Sequence, residues 1–474
     1  MLSKLYTFKF KPLLTSFILL FIATLIALVI LKKGLLLLLL VGLFFLLTIY
    51  NPFVGTVLFF AYIPFYNFIR VLLEAPIELH NFRLNVGGSL KDIFLFTIVL
   101  AILLRHLQFS FGKIKVNKTS LTRWFLFFVF LILINVVINF LGMSSLLGLR
   151  SYLQWMLLIL LFANTIRTHA KFYVVLFVTQ IISGFLSLVS IYQYYINPDF
   201  LWSFFVNSSF ASASLIEVEM GIAPYRAISL FGHPNNLGLM LAIGAIISFN
   251  MLFVNKSYKV MNLGLFLLNF IGILTTGTRS SLVGLFLGII IGMILRTKSK
   301  EKKSRLLLSV IPFIIAIIFL ANSPLFSKRF SNLDILKNPR LLAWEIIYSD
   351  IRSNPHILIT GRGIGYHLKA ETLGTIDNSF IELTWEGGLI TSMTFIVFVI
   401  LLILKKPLHF SDEEHKVAIL SKSILTTISF QMLTNSFLTG LFSIYFWFLV
   451  GYFLRFQCYT LQLDSEETLN IKKG

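Results

Sequence analysis

Cysteine is almost absent from this chain: one residue, Cys458, in 474. An intrachain disulfide is therefore excluded, and so is any metal centre built from several thiolates. Charge is scarce too. Asp, Glu, Lys and Arg make up 13% of residues, where a soluble domain carries about a quarter. So few charges could not cover the surface of a water-soluble protein of this length. Acidic residues are the scarcest class, 20 against 40 Lys and Arg, for a net charge of +20. That excess does not indicate a nucleic-acid partner, because the basic residues sit in short clusters between apolar runs, as expected of anchors at an anionic membrane face. The sequence has no soluble-type repeat, no low-complexity linker and no heptad pattern.

What is present is apolar sequence. Hydrophobic residues are 57% of the chain and mean hydropathy is +0.88. A spanning helix needs roughly 20 apolar residues. On that rule spans fall near 13–31, 34–50, 53–67, 92–107, 122–142, 152–166, 171–195, 237–254, 258–276, 280–296, 305–322, 386–404, 417–438 and 441–457. The first follows Lys4, Lys9 and Lys11 like a signal peptide, but it has no small-residue cleavage signature and another apolar run follows at once. The expected fold is an all-α integral membrane protein, a single polytopic domain over 1–474 with about 12–14 transmembrane helices.

Basic loops set the expected orientation. The run from Arg296 to Arg305 is the strongest cytoplasmic signal, and alternation from it places Lys256/Lys259, Arg167/Lys171, Arg105–Arg123 and Lys405/Lys406 inside with both termini. Lys32 and Lys33 alone disagree. Two long segments then face outward, about 197–236 and 323–387, the second carrying short amphipathic helices. Only these have room for chemistry on a large polar substrate. A site outside the cell has no free nucleotides, which leaves a preactivated substrate or a gradient as energy source.

The second segment is the richest. Asn338-Pro339-Arg340 is good helix-start chemistry. Leu341, Leu342, Ile346, Ile347 and Ile351 make the following helix, which also carries Trp344, apolar on one side. Arg340 in its first turn is either an anion ligand beside the helix amides or a solvated interfacial arginine. Thr360-Gly-Arg362-Gly363-Ile-Gly365 reads equally as a backbone able to approach a phosphate, with Arg362 adding charge, and as a flexible turn. In Asp377-Asn378-Ser379, the Ser379–Glu382 spacing fits a capping box that would account for Glu382. Asp377 is left over, as a helix-start residue or a general base toward a sugar hydroxyl.

Two more candidates lie at helix entrances. Thr-Gly277-Thr-Arg279 joins two spans tightly, with Arg279 facing a polar cavity or snorkelling to the interface. Arg226 and Gly232-His233-Pro-Asn235 close the first outer segment, where His233 reads as structural before it reads as catalytic. His356 and His367 show no spacing to acidic residues that suggests a metal site, and no nucleophile elbow is present.

Taken in order, His233-Pro-Asn235, Thr-Gly-Thr-Arg279-Ser-Ser-Leu, Arg340-x-x-x-Trp344, Gly361-x-Gly363-x-Gly365, Asp377-Asn378 and Glu386-Gly-Gly-Leu resemble the O-antigen ligase and polymerase superfamily over roughly 220–400. The resemblance implies an inverting glycosyltransferase that joins glycans carried on undecaprenyl pyrophosphate at the outer face of a bacterial plasma (inner) membrane, without nucleotide sugar, metal or other cofactor. It implies Arg279 and Arg340 as pyrophosphate ligands, Asp377 as the group assisting the acceptor, and Arg226, His233, Asn235, Trp344, Arg362, Gly363 and Asn378 as substrate-binding positions. Its partners would be the lipid-linked donor and acceptor glycans, the bilayer and other polysaccharide-assembly membrane proteins, with no nucleic acid. Ligases of the family typically have histidine before the asparagine. Aspartate at 377 therefore leans toward a polymerase of capsule, exopolysaccharide or teichuronic-type chains, with ligase as the alternative. A flippase for the same lipid-linked substrate is the competing class, disfavoured by few mid-span charges, no matching halves and polar residues concentrated on one side.

Overall fold

A computed structural model describes residues 34–72, 77–79, 82–84, 86–108, 120–166, 168–206, 225–254, 258–296, 339–369, 376–404, 412–436, 438, 440–441 and 443–454. The expected spans 13–31 and 305–322, Lys32/Lys33, the Asn338 cap and the Arg340 side chain lie outside what is described. The fold is helical, apart from a ribbon of two three-residue strands, β1 (Ile77–Leu79) and β2 (Phe82–Leu84), paired antiparallel. Among the described residues seven helical stretches are long and apolar enough to cross a membrane: 52–72, 121–138, 169–195, 234–254, 259–276, 279–296 and 379–404. The protein is an all-α polytopic membrane protein. By contacts the chain divides into two compact units, Met1–Gly112 with Asn164–Leu282, and Lys113–Ala163 with Val283–Gly474.

The first unit contains α1 (Gly34–Tyr50), α2 (Pro52–Tyr62), α3 (Tyr66–Leu72), α4 (Val86–Gln108) and the end of α6 (Met143–Thr165). It continues with α7 (His169–Tyr195), α8 (Trp202–Val206), α9 (Pro234–Val254), α10 (Lys259–Thr276) and the start of α11 (Arg279–Arg296). The span expected at 53–67 runs to Leu72, through a 3₁₀ turn at Ile63–Phe65. Asn67 and Arg70 break the apolar run that marks a span in sequence, but Asn67 is accommodated by donating to the Phe231 carbonyl at 2.8 Å. Helices α7, α9 and α10 pack through small and polar residues, as apolar surface alone gives helices no preference for one another over lipid. A Cβ on Gly244 would lie 1.9 Å from Ser183 Oγ, and one on Gly272 2.6 Å from Ser187 Oγ. Gln180 donates to Asn262 at 2.8 Å and to Ser248 at 3.0 Å, and Ser187 donates to Asn269 at 3.1 Å.

The second unit contains α5 (Ser120–Ile138), most of α6, the rest of α11, α12 (Pro339–Ser353), α13 (Ile357–Thr360), α14 (Ser379–Leu404), α15 (Asp412–Gln431) and α16 (Ser443–Leu454). Its apolar interior is aromatic: Phe128 lies 5.1 Å from Phe395 and stacks on Trp447. Several expected boundaries change. The span placed at 152–166 begins at Met143. The one placed at 417–438 ends as a helix at Gln431, and Met432–Asn435 form a turn. The polar run Thr434-Asn435-Ser436 favours side chain–backbone bonds over continued helix.

Candidate functional site

In the first unit, Gly277 takes φ 61° and ends α10, and Thr278 precedes α11. The tight turn expected here is present, and it presents Arg279 exposed at the first position of α11. Arg226 is buried behind it at 7% exposure. Its Nε donates to the Thr276 carbonyl at 2.7 Å, and its Nη2 donates to Asn235 Oδ1 at 2.8 Å and to Thr278 Oγ1 at 2.9 Å. Arg226 and Asn235, two expected substrate-binding residues, are thus brought together as a brace across the turn. His233 precedes α9, its Nδ1 accepting from the Asn235 amide at 3.3 Å.

In the second unit the site forms around a break in a helix. α14 is interrupted at Gly388, with φ 81° and ψ 165°. An interrupted helix leaves carbonyls without intrahelical partners, and here the glycine loop takes them. The Arg362 amide donates to the Trp385 carbonyl at 2.8 Å and the Gly363 amide to the Glu386 carbonyl at 3.0 Å. The approach excludes side chains: a Cβ on Gly361 would sit 2.1 Å from the Glu386 carbonyl oxygen, and one on Gly388 2.4 Å from that of Ile359. From the other side Asn135 and Asn139 both donate to the Thr360 carbonyl, at 2.5 and 2.7 Å, and Asn135 accepts from the Ile364 amide at 3.1 Å.

Arg362 also turns inward. Its Nε donates to Asp350 Oδ2 at 2.9 Å and its Nη2 pairs with Oδ1. Asp350 further accepts from Trp385 Nε1 at 2.8 Å. The Arg362 hydrogen bond, against an opposing effect of burial, holds the Asp350 carboxyl below its usual range. Ile347, Ile357, Ile376 and Trp385 form the small core beneath. Of the apolar positions on α12, Ile347 and Ile351 pack into this core, while Leu341, Leu342 and Ile346 are exposed. Arg340 lies in the first turn of α12, and Trp344 is half-buried one turn on.

Asn378 is the cap of α14. Its Oδ1 accepts from the amides of Phe380 at 2.9 Å and Ile381 at 3.1 Å, while its Nδ2 donates to the Leu433 carbonyl at 3.0 Å. Ser379 Oγ instead donates to the Asn435 carbonyl at 2.8 Å. The capping box expected between Ser379 and Glu382 is therefore not formed, and Glu382 is not accounted for by it. Its Oε2 lies 2.6 Å from Ser436 Oγ. Asp377 is half-buried at the bend before the cap.

Sequence reasoning missed the cluster that Glu382 joins. Glu386, fully buried one turn later, accepts from the backbone amide of His367 at 3.0 Å, from His367 Nδ1 at 2.6 Å and from Tyr152 at 3.2 Å. Glu382 Oε1 is 3.7 Å from the same imidazole nitrogen. Burial lowers the His367 pKa, but the Glu386 bond and charge, and to a lesser degree Glu382, outweigh it and push the group up to about 9. The imidazole is thus an imidazolium at neutral pH. Among the described residues this trio alone brings His and carboxylate ligand atoms within 4.8 Å of one another. Protein hydrogen bonds account for its arrangement. The usable signal was the four-residue spacing of Glu382 and Glu386, which puts both on one helix face.

Residues 264–396 match the family model described as O-Antigen ligase. That segment resembles the O-antigen ligase-like superfamily. It includes Arg279, Arg340, the glycine loop, Asp377 and both buried glutamates, and leaves out Arg226, His233 and Asn235. No curated protein matches the chain.

Proposed function

We propose that this protein is an inverting glycosyltransferase that polymerises oligosaccharide repeat units carried on undecaprenyl pyrophosphate, at the outer face of a bacterial plasma membrane. In this reading both termini are cytoplasmic and residues 197–236 and 323–387 are extracytoplasmic. The observation that supports it best is the family match, whose bounds take in the exposed Arg279 turn and the loop that ends at Asp377. The donor's C1–O bond breaks as the acceptor hydroxyl oxygen bonds to C1 from the opposite face. Arg279 and Arg340 stabilise the charge growing on the departing pyrophosphate, and the Asp377 carboxylate takes the hydroxyl proton. Arg362 is left out of the phosphate role, because Asp350 engages it and the loop amides are bonded within the protein.

Glycan profiles of a deletion strain complemented with Asp377→Ala, Arg279→Ala or Arg340→Ala test this. Loss of long polymer, with single lipid-linked repeats accumulating outside, is the expected result. Intact but unattached polymer would replace the polymerase reading with the ligase reading. Repeats accumulating inside would indicate a flippase. Normal polymer in all three variants would sink the mechanism.

A further inference from the structure

Where α7 ends, the chain turns through 197–201 into α8, and aromatic rings from three segments meet. Trp202 and Tyr194 both adjoin Tyr225, with ring centroids 5.2 and 6.0 Å from it. The corner is held firmly. Gln193, fully buried, donates to the Phe200 carbonyl at 2.8 Å and accepts from the amides of Ile228 at 2.9 Å and Ser229 at 2.8 Å. The Tyr225 hydroxyl donates to the Pro198 carbonyl at 2.8 Å. Leu201 and Ser229 take positive φ, 64° and 47°, a conformation that persists at residues with a Cβ only where the surroundings enforce it. Burial, and then the charge of Asp199, push the Tyr225 hydroxyl above the usual tyrosine range, which places the acid beside the rings. Yet the corner keeps unused polar groups. Among the described residues the exposed Asp199 carboxylate, the Trp202 indole N–H and the Tyr194 hydroxyl have no hydrogen-bond partner.

We propose that this corner is a saccharide-binding site, in which sugar rings lie against Trp202 and Tyr225 while Asp199, Trp202 and Tyr194 bond their hydroxyls. The inference rests on the reading of the substrate as a lipid-linked glycan. A sugar offers an apolar C–H face and a rim of hydroxyls. Fixed aromatic surface set among a few free donors and acceptors matches both. Tyr225 also immediately precedes Arg226, which braces the turn bearing Arg279, so this corner and the proposed pyrophosphate ligand share one stretch of backbone. Tyrosine and tryptophan at the end of a spanning helix are also ordinary anchors at a membrane interface. A lipid headgroup is disfavoured here, because Asp199 would repel its phosphate and because an anchor needs no hydroxyl fixed to the backbone.

The test uses the full chain in lipid nanodiscs. The probe is the oligosaccharide repeat released by mild acid from the host strain's surface polysaccharide, free of lipid and pyrophosphate, with binding read by calorimetry. The wild type should bind it, and Trp202→Ala and Asp199→Ala should each raise Kd at least about fivefold. Asp199 is exposed, so its variant reports on the site even where Trp202→Ala misfolds. An unchanged Kd in both variants, or no binding by the wild type, overturns the proposal. So does quenching of the Trp202 fluorescence, read as wild type minus Trp202→Phe, by lipids brominated along their acyl chains, which would put the rings in the bilayer. Binding is read without transfer, which keeps the two readings apart. A wild type that binds through these residues but transfers no glycan keeps the site and fails the functional reading. A transferring wild type whose variants bind normally loses only the site.

Discussion

Two turns in this chain set glycine beside arginine, Thr-Gly277-Thr-Arg279 in the first unit and Thr-Gly361-Arg362-Gly363 in the second, and the fold uses them in opposite ways. At the first, one glycine with positive φ reverses the chain and leaves the arginine exposed, with Arg226 bracing the turn from behind. At the second, the amides of Gly361, Arg362, Gly363 and Ile364 are all bonded within the protein and Arg362 is paired with Asp350. The difference lies in what surrounds each turn. A broken helix nearby supplies carbonyls that need donors, and a loop beside it becomes a packing element. At the first turn, with no broken helix beside it, the same residue types leave the arginine exposed at the surface. A motif rich in glycine and arginine therefore does not by itself say whether its arginine is turned inward or left at the surface.

Substitutions can break or sharpen this contrast. The largest effect is expected at Gly361→Ala, whose Cβ would meet a backbone oxygen at 2.1 Å with φ at 72°. More than about 4 kcal/mol should be lost, seen as a collapse in folded yield and thermal stability in detergent. Asp350→Ala, which strips an acceptor from Arg362 and Trp385, should cost about 2 kcal/mol, scaled down because the pair is partly exposed. Gly277→Ala should cost about 1–2 kcal/mol, since its Cβ would find Arg226 at an ordinary 3.7 Å and only the left-handed conformation is penalised. Equal losses at Gly277 and Gly361 would erase the contrast. Arg279→Ala should change stability by less than about 0.5 kcal/mol while glycan transfer falls at least about tenfold. The opposite outcome, a stable and active protein, would leave this turn without a functional role.

Proton linkage offers a milder probe. The folded His367 pKa of about 9 lies above its ordinary 6.5. Its contribution to stability is therefore complete below about pH 6.5 and is lost as pH rises through about 9. Thermal stability should decline over that window in the wild type, and the decline should flatten in His367→Gln. An unchanged slope would mean that the His367–Glu386 pair does not carry this linkage.

Much of the fold was legible because a bilayer imposes a simple code, in which apolar runs of fixed length become helices. The tight turn at Gly277 followed from local chemistry of helix ends. What escaped was the polar interior. A capping-box spacing at Ser379 and Glu382 is also the spacing of a buried acid facing its partner, and sequence does not say that Asn378 already caps the helix. Ser436 was absorbed into an apolar span because three polar residues do not interrupt a hydropathy window. His367 and Glu386 lie far enough apart in sequence that only the loop's return onto α14 joins them.

The break at Gly388 also sets an order of assembly. Residues 339–369 leave the ribosome before Trp385 and Glu386, whose carbonyls complete their hydrogen bonding. During synthesis the glycine loop must wait, its amides served by water, until the next apolar segment has entered the bilayer. Its maturation is thereby tied to the insertion of a later helix, and a chain stopped before residue 379 would carry the loop without the surface that gives it shape.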